Sequence, residues 1–283
     1  MPQKLCTGEK NGHENIEMIT SFVRYLVKSK TFKKYSKLMP PETLFTAESA
    51  VDTVIDTKQL NRNNLVLVEN ITRCFETLRI ISVARNEMEI LRNESFDMYN
   101  DAHVDMLEGF WMDMKGSERT VSGIISPEWT SLGFQGNDPT TDFRSMGILG
   151  LHQLALFARR KTEIAHLILK EFTAPGHNFP FAIIGINLTR LVMSMLSERR
   201  LHVYIIQRFG NLTVNASLAY LEGPSNDADC IQYVIALVHD LYCIAFEEFY
   251  LVWIVRKPTS IMAFTDLYNE VEALMFEKYP LLK

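Results

Sequence analysis

Ile71-Thr72-Arg73-Cys74-Phe75-Glu76-Thr77-Leu78-Arg79-Ile80-Ile81 sets Ile71, Cys74, Phe75, Leu78 and Ile81 three or four residues apart. That spacing lines one face of a helix that turns every 3.6 residues. The same period returns at Tyr99, Ala102, Met106, Phe110 and Met114, at Ile231, Val234, Val238, Leu241 and Ala245, and at Ile261, Phe264, Leu267, Val271 and Leu274. Strict two-residue alternation, the mark of a half-buried strand, is hard to find, and Leu65-Val66-Leu67-Val68 suits a helix start as well as a strand. The expectation is an all-α fold: a single helical domain over 46–283, after a polar tail and an amphipathic basic helix in 1–45. Pro and Gly punctuate it at Pro40-Pro41, from Gly116 to Phe143, from Pro175-Gly176 to Pro180, and at Gly223-Pro224. No self-similar period is visible, which disfavours a solenoid.

Composition bounds the function classes. A chain of 283 residues with 47% hydrophobic and 22% charged residues can bury a core, so wholesale disorder is excluded. Lys and Arg number 29 against 34 Asp and Glu, a net charge of -5, so no broad cationic surface awaits nucleic acid. Cys6, Cys74, Cys230 and Cys243 are scattered without a C-x-x-C pair, which fits a reducing compartment and argues against a zinc ribbon. The N-terminal stretch is polar and predicts no secretory leader, so the expected location is cytoplasmic. Phe179 to Leu196 is the longest apolar segment, but Asn187, Thr189 and Arg190 interrupt it and it reads as a buried helix. Arg24, Lys28, Lys30, Lys33, Lys34 and Lys37 follow an apolar face of Ile16, Ile19, Phe22 and Leu26. Such a helix is either a peripheral contact with anionic membrane or an ordinary amphipathic helix with a solvated basic end.

Most catalytic signatures are absent: no phosphate-cradling G-x-x-x-x-G-K-[ST], no G-x-G-x-x-G, no G-x-S-x-G and no H-E-x-x-H. Glu163-Ile-Ala-His166 sets a carboxylate and an imidazole one turn apart, as in di-iron bundles, but a second such pair is missing. Neither a metal nor a cofactor is expected.

The informative stretch runs from Trp129 to Gly147, WTSLGFQGNDPTTDFRSMG. Glycines and a proline shape the backbone, while Trp129, Phe134 and Phe143 can pin it to a helical core. Asp142 and Arg144 then stand at its end, just before Ile148, Leu149, Leu151, Leu154 and Phe157 resume helical spacing. From the residues alone Asp142 can cap the following helix or pair with Arg144. Arg144 can brace the loop or be offered to a partner from a rigid base.

Read from Trp129 to Leu154, the pattern W-x-x-x-G-F-Q-x-x-x-P-x-x-D-F-R-x-x-G-x-x-x-L-x-x-L resembles the signature of the ELMO (engulfment and cell motility) domain, in the form carried by compact ELMO-domain-containing proteins. The matching positions are Trp129, Gly133, Phe134, Gln135, Pro139, Asp142, Phe143, Arg144, Gly147, Leu151 and Leu154, and the similar region extends over about 103–275. The resemblance implies GTPase-activating activity toward the GTP-bound form of ARF-family, especially ARF-like, small GTPases in membrane traffic, with Arg144 supplied in trans and no cofactor. It also implies a scaffold of Trp129, Gly133, Phe134, Pro139, Phe143, Gly147, Leu151 and Leu154, with Gln135, Asp138, Asp142 and Ser145 at the interface or supporting the loop. The alternative is a non-catalytic interaction module or GTPase effector, as in larger ELMO scaffolds. One departure is Ser145, where the family has glycine; a positive φ there would strain serine.

Overall fold

The computed structural model describes residues 47–116, 122–172, 180–202, 204–206, 208, 227–258 and 263–278. Among them are eight α-helices and no strand, which makes the fold all-α. In chain order they are α1 Ala47–Lys58, α2 Leu65–Asn93, α3 Asp101–Lys115, α4 Gly147–Arg160, α5 Thr162–Phe172, α6 Phe181–Ser197, α7 Asp227–Arg256 and α8 Phe264–Lys278. Two 3-10 helices, Pro127–Leu132 and Pro139–Ser145, occupy the span between α3 and α4. The basic helix expected near 24–37 lies outside the described residues.

The described residues fall into two compact units, one within 1–84 and 201–234 and the other within 85–200 and 235–283. In the first, the face anticipated from Ile71 to Leu78 is buried with Val51, Val54 and Ile55 of α1. Asn64 accepts the Leu67 N–H at 3.1 Å, so the apolar run from Leu65 to Val68 starts a helix, with Leu65 and Val66 exposed. Arg62 reaches Asp52 and Asp56, and Arg79 pairs with Asp227 at 2.6 Å.

The second unit carries the signature. α4 packs on α3 and α6, α5 packs on α3, α4 and α6, and the Pro139–Ser145 turn touches α4 and α6. Rings knit these elements together: Phe157 stacks on Phe246 at 4.3 Å, Phe181 lies 4.8 Å from Phe246, and Phe110 pairs with Phe181 and Phe134. Burying ring area of this kind is the main favourable term in such a core. The apolar segment around α6 is a buried helix, with Phe181, Ala182, Ile184, Leu188, Leu191 and Val192 inside. α7 is long and apolar enough to cross a membrane by length and composition, yet Val238, Leu241, Tyr242, Phe246 and Phe249 are buried, the placement of a core helix.

One expected stripe is displaced. Tyr99 is 88% exposed and lies before α3, and Ala102 is exposed; the buried side of that helix is His103, Leu107, Phe110, Trp111 and Met114. Asn100 accepts the Ala102 N–H at 3.0 Å and starts the helix beyond Tyr99, which rotates the apolar face.

Candidate functional site

Each 3-10 helix begins with proline behind a capping side chain. Ser126 accepts the Glu128 N–H ahead of Pro127, and Asp138 accepts the Thr140 N–H at 3.0 Å ahead of Pro139. Proline suits a first helical position because its fixed φ is preset and it lacks an N–H that would need a partner. Between the two turns the chain reverses at Gly133, whose φ is +82°. A Cβ there would meet the Phe181 nitrogen and would lie 2.6 Å from the Pro180 carbonyl carbon, so the turn sits directly on the start of α6.

The three aromatics of the signature lie in the core. Trp129 is 0%, Phe134 4% and Phe143 1% exposed. They form a chain of edge-to-face pairs, Trp111 to Trp129 at 5.2 Å, Trp129 to Phe134 at 5.7 Å and Phe134 to Phe143 at 5.8 Å. Phe143 also stacks against Phe96 of the segment that joins α2 to α3. The Trp129 indole donates to the Gly123 carbonyl at 3.2 Å, which satisfies its one polar atom inside the core. Pro139, Leu151 and Leu154 are buried too, and Leu154 faces Gly185 where α4 and α6 approach closely.

Gly147 opens α4 with φ +53°, and a Cβ on it would be driven into the carbonyl oxygens of Leu91, Arg92 and Glu94. Its neighbour Ile148 donates its N–H to the Glu94 carbonyl at 2.9 Å, clamping α4 to the end of α2. The positive φ thus falls at Gly147, and Ser145 is not among the residues with positive φ. The condition under which serine would be strained is therefore not met, and its side chain is exposed beside Arg144.

Asp142 neither caps α4 nor pairs with Arg144 within 4 Å. Its Oδ2 accepts the Gln135 N–H at 2.9 Å, tying the second 3-10 turn back to the first half of the loop. Burial pushes the Asp142 carboxyl above its ordinary value, against the opposing pull of the Gln135 N–H and Arg144. α4 has no side-chain cap, and Asp138 caps the 3-10 turn, because in a turn that starts at Pro139 the residue just before it faces the free N–H groups.

Arg144 is exposed at the end of this pinned turn. Its Nε donates to the Thr141 carbonyl at 2.6 Å, while its two Nη groups make no hydrogen bond among the described residues. The arginine is therefore aimed by one bond with its forked end unspent. It opens onto a cleft of about 200 Å³ lined by Gln135, Thr141, Asp142, Arg144, Ser145, Ile183, Ile186, Asn187 and Arg190.

Four of the expected residues, Gln135, Asp142, Arg144 and Ser145, thus share one cleft; Asp138 supports the turn from outside it. Thr141 and the four α6 residues were not anticipated from the sequence. The signal was present in the polar Asn187 and Arg190 that interrupt the apolar segment, but only tertiary packing brings that face of α6 to the loop. The Glu163–His166 pair builds nothing of the kind: Glu163 is exposed, and His166 Nε2 lies 2.8 Å from the Asp113 carbonyl.

An all-α scaffold that pins a glycine-shaped loop and presents one arginine defines the class, and comparison with known proteins names the family. The profile of the ELMO/CED-12 family matches residues 86–268, and the chain belongs to that family. It is 32% identical to ELMO domain-containing protein 2 of Mus musculus over 65% of this chain and 56% of that relative. The chain thus spans little more than half the length of that protein. It is 28% identical to ELMO domain-containing protein B of Dictyostelium discoideum, over 99% of this chain and 90% of the relative. Against ELMO domain-containing protein 1 of Mus musculus it is 28% identical over 93% of this chain and 78% of that protein. No solved structure matches.

Proposed function

We propose that the chain stimulates GTP hydrolysis by a small GTPase of the ARF family, with Arg144 entering the partner's nucleotide site. The observation that carries this is the state of Arg144: exposed, held at Nε by the Thr141 carbonyl, and free at both Nη groups on a turn fixed by buried rings. Hydrolysis is limited by charge that develops on the transferring phosphoryl oxygens, while the GTPase binds nucleotide and magnesium itself. A planar, permanently charged fork supplied in trans stabilises that charge and is worth roughly 10³ to 10⁵ in rate, or about 4 to 7 kcal/mol of barrier.

Preorganisation makes such a group effective. A guanidinium already oriented before the encounter spends less of the binding energy on ordering its own rotamers. The scaffold aromatics provide this orientation at one remove, since the turn that carries Arg144 is anchored by Phe143 on one side and Met146 on the other, both buried. Gln135 stands on the same cleft, where it can orient the partner's attacking water or catalytic glutamine. A peripheral position on endomembranes, next to membrane-bound GTPase, belongs to the same proposal.

Single-turnover hydrolysis by a panel of ARF-family proteins preloaded with GTP, with and without this chain, tests it. Stimulation of at least one member that vanishes in Arg144→Ala supports the proposal. Binding of a GTP-loaded member with no acceleration would assign the chain to the effector class instead.

A further inference from the structure

α6 contributes a face of its own to the cleft. Ile183, Ile186, Asn187 and Arg190 recur at three- and four-residue steps and line it together. Arg190 is the single charged residue of that helix, in a run otherwise apolar or neutral. Arg62, Arg73, Arg79, Arg92, Arg159 and Arg160 each lie within 3.0 Å of a carboxylate oxygen. Arg190 is exposed and makes no hydrogen bond or ion pair among the described residues, and Arg144 keeps its two Nη groups in the same condition. The acid that shares the cleft, Asp142, spends one oxygen on the Gln135 N–H and stands within ion-pairing distance of neither arginine. A chain with net charge -5 thus places on one small concavity two guanidiniums that no carboxylate pairs.

The remaining polar groups point the same way. Asn187 donates its amide to the Ile183 carbonyl at 2.8 Å and so is fixed in place, and Ser145 and Gln135 also line the cleft. Ile183 and Ile186 add apolar lining beside these groups, and a hydrogen bond from a charged donor to an anion is stronger than a neutral one.

We infer that Arg144 and Arg190 together form an oxyanion site, and that this cleft takes one anionic group, phosphate or carboxylate, between its loop side and its α6 side. The inference deepens the proposed function by adding a second cation to the same site, and the identity of the partner that brings the anion rests on that proposal. Arg190 binds the anion from the helix side while Arg144 approaches from the turn. Two sources have the required chemistry: the terminal phosphate of the partner's nucleotide and a carboxylate of the partner's own chain.

The Nε–H resonances of Arg144 and Arg190 report on the site directly while inorganic phosphate, and acetate in parallel, are titrated into the full chain. Saturable shifts of both resonances are expected, with the apparent Kd for phosphate raised about tenfold in Arg190→Ala and partly recovered in Arg190→Lys. Arg73→Ala, on the surface of the first unit, leaves the titration unchanged. Absence of shifts, or an Arg144 response indifferent to Arg190→Ala in a variant that melts normally, overturns the inference. Stimulated hydrolysis separates the sources: loss of saturating rate in Arg190→Ala assigns the anion to the nucleotide, and a raised half-saturating concentration at unchanged saturating rate assigns it to a partner carboxylate. If the wild-type chain accelerates no GTPase, the proposed function fails while the phosphate titration still decides the cleft.

Discussion

Replacing Arg144 separates chemistry from structure because its two kinds of contact are unequal. Within the chain the side chain makes one hydrogen bond, from Nε to the Thr141 carbonyl, and it is exposed. Losing one such bond costs about 0.5 to 1.5 kcal/mol of stability at most, and less where water replaces it. In a unit of this size that shifts the melting temperature by no more than a few degrees, about 2 to 4 °C per kcal/mol. The expected loss of catalysis is far larger, at least two decades in stimulated single-turnover rate for Arg144→Ala, against a full finger effect of roughly 10³ to 10⁵. Arg144→Lys is the sharper variant. A lysine has one nitrogen, so it can satisfy the Thr141 carbonyl or reach into the partner but not both, and it offers no fork to a phosphoryl group. It should lose almost as much rate as alanine while melting like the wild type. Full stimulated hydrolysis by Arg144→Lys would refute the finger mechanism, and a fall of more than about 8 °C in Arg144→Ala would assign the residue to bracing the loop.

Truncating Trp129, Phe134 or Phe143 to alanine should cost about 3 to 5 kcal/mol each, read as a lower denaturant midpoint, with stimulated hydrolysis falling in step; normal stability with lost activity would move that ring into the interface. Gly147→Ala should destabilise markedly, since its Cβ meets three backbone carbonyls that cannot rotate away, whereas Ser145→Gly should leave stimulated hydrolysis within about threefold because serine is unstrained there. Stability should also fall with acid. His239 is buried beside His152, with ring centroids 5.0 Å apart and its Nδ1 3.2 Å from the Gln153 amide, and burial holds its pKa down to about 3, with His152 and Arg160 adding to the shift. The unfolded chain takes up that proton near pH 6.5, so stability is complete above this and declines by up to about 1.4 kcal/mol per pH unit toward pH 3. Denaturation midpoints across that range check it, and an unchanged slope in His239→Gln would show that other groups carry it.

The sequence by itself determined what is local or chemical. Helix after helix is legible in three- and four-residue apolar steps, because period is a property of neighbouring residues. The shaped loop is legible in its glycines, prolines and aromatics, and Arg144 in the signature that contains it. Burial of Trp129, Phe134 and Phe143 follows from ring chemistry, since apolar rings in a turn have only the core to cover them. Tertiary structure decided what depends on approach between segments distant in the chain. That the positive φ near Arg144 falls at Gly147 and not at Ser145 was settled by the carbonyls at the end of α2, which leave room for Gly147 and no side chain. Whether Asp142 faces α4 or Gln135 depended on where the first 3-10 turn comes to rest. The second cation was hidden for the same reason. Arg190 looks like an interruption of an apolar run until α6 packs against the Pro139–Ser145 turn, and only that packing makes it a lining residue of the cleft.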